Sequence, residues 1–189
     1  MAKVEYLTFN RFLSLFNPRA LYVLSYSWLF GMSLWVTFFG GVIAFKTLPR
    51  QQFGQLQLKT FPIYFSINVA LSSLMMAYWV FTHPDVISYI SRPTVADVAQ
   101  LYALFVVFGT HGLNCFVVGP IASKVKVQRH KLEKEEGKGY DEKEVSAQMK
   151  AFNRKFGMLH GISSLLNLIA FIALVFHGLW IGNAGAKGY

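Results

Sequence analysis

The stretch FGMLHGISSLLNLIAFIALVFHGLWI, Phe156 to Ile181, lies in an interval between Lys155 and Lys187 that holds no Asp, Glu, Lys or Arg. A helix rises about 1.5 Å per residue, so about 20 such residues cross the roughly 30 Å of hydrocarbon in a bilayer. A water-soluble helix of this length would carry a charged face, and no residue here supplies one. The stretch therefore predicts a transmembrane helix. Three further charge-free intervals read the same way: residues 21–45, 61–81 and 101–121. The predicted fold is all-α, a polytopic membrane protein whose residues 1–189 form one bundle of four transmembrane helices.

Composition agrees. Of 189 residues, 54% are apolar and only 14% charged, against about 25% charged in a typical soluble domain. Soluble globular and disordered classes are excluded on that ground. The net charge of +9 first suggests a nucleic-acid partner. The cations, however, flank the spans instead of forming a stripe, so they read as a topology signal, with the lipid bilayer as partner and no nucleic acid. The single cysteine, Cys115, cannot form an intramolecular disulfide.

Outside the spans, Asn17-Pro18 offers an N-cap with proline at the first helical position, and Pro62 is expected to open the second span similarly. Thr94 and Asp97 read as a capping-box variant before the third span. His83-Pro84 should end the second span, and Gly119-Pro120 should kink or end the third. Residues 6–16 place Phe9, Phe12, Leu13 and Phe16 on one face, the pattern of an interfacial amphipathic helix, with an extra turn of the first span as the alternative. The charged segment 123–155 breaks at Gly137 and Gly139 and restarts at Asp141 and Glu144. It reads as a helical hairpin extending the third and fourth spans, the alternative being a disordered charged loop. Within it Lys124, Lys126, Arg129 and Lys131 form a candidate docking surface for a membrane-protein partner or an anionic lipid.

Four crossings put both termini and the middle loop on one side. The two loops on the other side carry thirteen of the eighteen Lys and Arg, and the remaining five are Lys3, Arg11, Arg19, Arg92 and Lys187. The positive-inside rule then makes the 123–155 segment cytosolic and puts both termini opposite.

Several runs resemble the transmembrane protein 205 family. They are Gly40-Gly41 to Phe45, the glutamine-rich loop Leu48-Pro49-Arg50-Gln51-Gln52-Phe53-Gly54-Gln55-Leu56-Gln57, Lys59 to Phe65, and Phe156 to Leu168 with its His160-Gly161-x-Ser163-Ser164-Leu165-x-Asn167 core. The resemblance covers all four spans. It implies an integral protein of endomembranes or the cell surface, with links to drug resistance and trafficking, and it implies no accepted biochemical activity. We expect the endoplasmic reticulum or another endomembrane, with a mitochondrial membrane as the open alternative.

No Asp, Glu, Lys or Arg lies inside a span, so the usual intramembrane charge relay of a coupled transporter is missing, with the histidines as the exception. His111 and Cys115, four apart on one helical face, are weak candidates for metal ligands; two ligands do not make a site, and no metal or other cofactor is expected. Small residues recur four apart, with Gly31, Gly41, Gly157, Gly161, Gly178 and Gly182 as candidate packing positions. Counting depth from the span ends predicts a buried polar layer of Asn68, His111, Asn114, Ser163, Ser164 and Asn167 between the second, third and fourth spans, because amides facing lipid are costly. It reads either as structural glue or as the lining of a hydrated site. No hydrolase, nucleotide-binding or metalloprotease motif occurs, and His83 with Asp85 is the one close catalytic candidate. The expected function is a non-catalytic membrane scaffold, assembly factor or accessory subunit. The alternative is a small transporter or channel, for a metal, drug-like or lipid substrate, with a polar path between helices.

Overall fold

The computed structural model describes residues 6–184; Lys3 and Lys187, counted in the charge bias, lie outside the described residues. A short helix, α1 (Phe9–Ser14), is followed by α2 (Pro18–Thr47), α3 (Arg50–Thr82), a one-turn α4 (Asp85–Ser88), α5 (Ala96–Glu136) and α6 (Ala147–Ala184). The helices α2, α3, α5 and α6 are each long and apolar enough to cross a membrane. The protein is thus an integral membrane four-helix bundle. Helix α5 is its axis, packed along α3 on one side and α6 on the other, while α2 lies against α3 and α6.

Local sequence explains most of the boundaries. Thr8 accepts from the Arg11 N–H to cap α1, whose residues are all exposed, including Phe9, Phe12 and Leu13. Asn17 Oδ1 accepts from the Ala20 N–H at 3.0 Å, and Pro18 opens α2. Such a cap stabilises a helix by about 1 kcal/mol. His83-Pro84 ends α3 as expected. The capping box before α5 does not form: Val95 is the N-cap, without a side-chain bond.

Two prolines behave differently from their sequence reading. Pro62 does not open a helix but sits inside α3, because the glutamine-rich stretch from Arg50 onward is helical and not a loop. The helix tolerates one missing N–H there, leaving the Leu58 carbonyl without its usual partner. Gly119-Pro120 does not end α5. A π-helical turn at Asn114–Val118 widens the helix just before it, and the Gly119 N–H reaches the Asn114 carbonyl. A Cβ on residue 119 would stand 2.5 Å from that carbonyl oxygen, so the widened turn needs glycine. A second π-helical turn lies at Trp35–Gly40 in α2.

The charged segment is folded. Helix α5 continues to Glu136, Gly137 ends it in the left-handed region (φ 65°), and α6 restarts at Ala147, later than the Asp141–Glu144 position expected. Ser146 Oγ accepts from the Met149 N–H at 3.0 Å and so caps that start. The two helices form the expected hairpin, and the first turns of α3 pack against it: Lys126 Nζ donates to the Gly54 carbonyl at 2.8 Å. Glu133 ties the assembly together. It pairs with Arg50 at 2.9 Å and with His130 at 2.6 Å, and it accepts the Tyr140 N–H at 2.8 Å. Arg50 also pairs with Asp141. The Tyr140 ring has the Arg129 guanidinium 3.9 Å and the Arg50 guanidinium 4.4 Å from its centroid.

Away from this end, Leu29, Met75, Trp79, Leu104, Val107 and Leu174 form the apolar core. Burial here removes side chains from lipid rather than from water, so close packing replaces the hydrophobic drive. Of the six predicted packing glycines only Gly178 makes a close approach: a methyl there would overlap the Tyr26 hydroxyl. At Gly31, Gly157, Gly161 and Gly182 a Cβ would meet nothing within 4 Å, and at Gly41 only the Val36 carbonyl at 3.8 Å in its own helix. Spacing four apart placed these glycines on faces that the bundle leaves open.

Gly178→Ala should therefore cost roughly 1–3 kcal/mol by overpacking, whereas Gly161→Ala should stay within about 0.5 kcal/mol of the parent. Thermal unfolding of the purified protein in mild detergent reads both. Equal shifts would contradict the Tyr26–Gly178 contact.

Candidate functional site

The polar side chains of the middle of the bundle fall into two hydrogen-bonded clusters. In the first, Asn68 Nδ2 donates to the Tyr64 carbonyl of its own helix at 2.7 Å, and its Oδ1 accepts from Ser33 Oγ of α2 at 3.4 Å. The Tyr64 hydroxyl donates to the same Ser33 Oγ at 3.4 Å. In the second, Asn114 Nδ2 donates to the Ser163 carbonyl at 3.2 Å and to Asn167 Oδ1 at 3.4 Å, joining α5 to α6. His111 belongs to neither cluster by hydrogen bonding; it stands edge-on to the Tyr64 ring, with 5.6 Å between centroids.

The differences from the sequence reading have physical causes. Ser164 is exposed, because it lies about 100° around the helix from Ser163 and the packed face of α6 runs through Asn167 and Ala170. Ser33 joins from α2, a helix to which the predicted layer assigned no residue. Both ring nitrogens of His111 and the Oδ1 of Asn114 are buried without a protein partner among the described residues. Such groups normally bond to something, so this mid-bundle position is suited to ordered water or a ligand atom. The π-helical turn begins at Asn114, and turns of this kind recur at functional sites.

A small cleft of about 90 Å³ opens beside the second cluster, between α3, α5 and α6. Ser163 and Asn167 form its wall, Phe61 and Phe65 its apolar side, and Lys126 and His160 are also on its rim. His160 stacks on Phe156 with 6.1 Å between ring centroids, and among the described residues it makes no hydrogen bond to Ser163 or Ser164. The arrangement offers hydrogen bonds to a small polar group.

The weak metal candidates do not converge. Cys115 Sγ lies 3.6 Å from Ser66 Oγ, and among the described residues no three His, Cys, Asp or Glu gather around it and His111. His83 turns away from Asp85: its Nδ1 lies 3.0 Å from the Trp79 carbonyl, and its Nε2 approaches Asp97 at 4.0 Å. Lys126 and Arg129 are buried, the first bonded to Gly54 and Gln57, the second to Asn153 and over Tyr140. Only Lys124 and Lys131 of the proposed docking quartet are exposed.

Sequence reasoning missed a further polar cluster at the opposite end of the bundle. The Tyr22 hydroxyl lies 2.5 Å from His177 Nε2, and His177 Nδ1 lies 3.0 Å from Gln100 Oε1. His83 stacks on Trp79 at 3.9 Å, and Trp79 Nε1 donates to the Asp97 carbonyl. Gln100 falls one residue outside the charge-free interval 101–121, which removed it from the depth count; counting from the other ends of the spans would have paired it with His177.

The fold and its interior define an integral membrane protein whose four helices are joined by hydrogen-bonded polar side chains. The chain belongs to the DUF4149 family, a domain of unknown function, whose family model matches residues 24–131. It is 27% identical over 174 residues to Transmembrane protein 205 of Danio rerio, covering 85% of this chain and 88% of that protein. It is 26% identical over 172 residues to Xanthocillin biosynthesis cluster protein D of Aspergillus fumigatus, covering 91% of this chain and 94% of that one. No solved structure matches. The resemblance read from the sequence is thereby confirmed.

Asn114→Leu removes both α5–α6 bonds and should cost about 1 kcal/mol, at roughly 0.6 kcal/mol for each interhelical bond. His111→Leu removes two unpartnered nitrogens and should leave the bundle at least as stable, because exchanging an unsatisfied polar group for an apolar one is neutral or favourable. Thermal unfolding in detergent compares the two; a larger loss for His111→Leu would show that the imidazole is held by a bound molecule.

Proposed function

We propose that the protein is a non-catalytic membrane scaffold, assembly factor or accessory subunit, and that α2 carries its contact with a membrane-protein partner. The observation behind this reading is Trp35. It lies ten residues inside the span from Phe45, or about 15 Å, near the bilayer centre. Its side chain is 55% exposed, and its indole N–H has no hydrogen-bond partner among the described residues. Tryptophan favours the membrane interface, where its N–H meets water, and a bare donor in hydrocarbon is costly. From Trp35 to Thr47 the helix has no buried residue, and it displays Phe38, Phe39, Val42, Ile43 and Phe45. A partner helix that offers an acceptor at mid-depth would satisfy both the donor and the apolar ribbon.

A second reading, a small transporter or channel, is favoured by the unpartnered His111 and Asn114 atoms beside the cleft. The lack of Asp, Glu, Lys and Arg inside the spans weighs against it. For orientation, the charge bias supports a cytosolic hairpin end with both termini opposite. The membrane we assign is the endoplasmic reticulum or another endomembrane, with the mitochondrial membrane as the alternative.

A photo-reactive residue at Phe39 should give a discrete protein adduct in native membranes, and Trp35→Phe, which keeps the ring but loses the N–H, should weaken it. Adducts to lipid alone would refute the contact. Trypsin added to sealed microsomes should cut after the exposed Lys138 or Lys143; a fully protected hairpin end with a cleaved N-terminal segment would reverse the orientation.

A further inference from the structure

A large cavity lies not in the bundle but at its hairpin end. It is an open groove of about 1150 Å³ between the first turns of α3 and the outer part of α5, closed at the top by Gly137–Gly139. Five cations line it, Arg50, Lys59, Lys131, Lys134 and Lys138, against one carboxylate, Glu133. Both Glu133 oxygens are already engaged, by Arg50 and Tyr140 on one and His130 on the other. Arg50 is held by Glu133 and Asp141, and Lys131 is 3.8 Å from Glu135. Among the described residues, Lys59, Lys134 and Lys138 make no ion pair. A groove with this surplus of positive charge is built for an anion.

Two features narrow the anion. The cations rise in steps away from the bilayer: Lys59 is two residues before the apolar span that starts at Phe61, while Lys131 and Lys134 are ten and thirteen residues beyond Ile121, or about 15–20 Å along the helix. A lipid with a single phosphodiester reaches only the lowest step, whereas a headgroup with further phosphates standing above the membrane reaches the middle ones. The α3 wall is also lined by the exposed amides of Gln51, Gln52 and Gln55, which both donate and accept and so match the hydroxyls of a sugar-like ring. At the floor, the exposed Leu56 and Val127 face where lipid begins.

We infer that this groove binds the headgroup of a multiply phosphorylated inositol lipid from the adjoining leaflet, a site separate from the α2 contact and independent of it. Lys131, Lys134 and Lys138 meet the ring phosphates, the glutamine amides meet the ring hydroxyls, and Lys59 meets the phosphodiester.

The test is a titration of the purified full-length protein in neutral detergent with a fluorescent short-chain phosphatidylinositol bisphosphate. Binding should be at least about tenfold tighter than that of phosphatidylserine of equal chain length, and the triple variant Lys131→Gln, Lys134→Gln, Lys138→Gln should weaken it by about tenfold or more. Lys124→Gln, outside the groove, should change it less than about twofold. Gln52→Ala with Gln55→Ala keeps every charge and should still lower affinity, which separates ring recognition from charge attraction. The inference is overturned by equal binding of phosphatidylserine, by an unchanged triple variant with an unaltered unfolding midpoint, or by soluble inositol trisphosphate competing as well as the lipid, which would assign the groove to a soluble phosphate.

Discussion

Hydrocarbon offers no hydrogen-bond partner, and the interior of this protein is arranged around that constraint. Every backbone group within the spans must be satisfied by the helix itself, so four long helices are the solution. The same demand governs side chains. Asn114 reaches across to α6, Ser33 and Asn68 join α2 to α3, and Tyr22, His177 and Gln100 join α2, α6 and α5 at the other end. Individually such bonds are weak, because an amide in an unassembled helix also finds partners. Their main effect is to fix which faces meet.

The π-helical turn at Asn114 belongs to the same account. Pro120 removes a backbone donor and would crowd the preceding carbonyl in a regular helix. Widening the turn relieves the clash, lets α5 run unbroken into the aqueous extension, and starts at the one asparagine that bridges to α6. Glycine at 119 is the local requirement for this geometry. A position that departs from regular structure, carries unpartnered buried atoms and adjoins a cleft is where ligand or water binding is most economically placed.

Beyond the bilayer, water restores ordinary electrostatics, and charge organises structure differently. Glu133 collects Arg50, His130 and the Tyr140 backbone, and Tyr140 lies between two guanidinium groups. These contacts turn a segment whose composition suits a flexible loop into a folded cap. They also divide its cations: Lys126 and Arg129 are consumed by structure, while Lys59, Lys134 and Lys138 are left facing a groove.

The sequence by itself determined the class of the protein and the number of its apolar crossings. Those properties follow from charge-free length and from the rise of a helix, and both are local. Counting residues along each helix also singled out Asn68, Asn114, Asn167 and Ser163, which take part in hydrogen bonds between helices. What a count along single helices could not supply was the rotation of each helix about its axis and its choice of neighbour. Those decided that Ser164 faces outward, that four of the six glycines pack against nothing, that Ser33 and Gln100 enter the interior, and that two of four candidate docking cations are buried. Helices in a bilayer all have apolar sides, so hydrophobic periodicity gives no preferred face. Only the fitting of side chains between helices selects one, and that is a property of the assembled bundle.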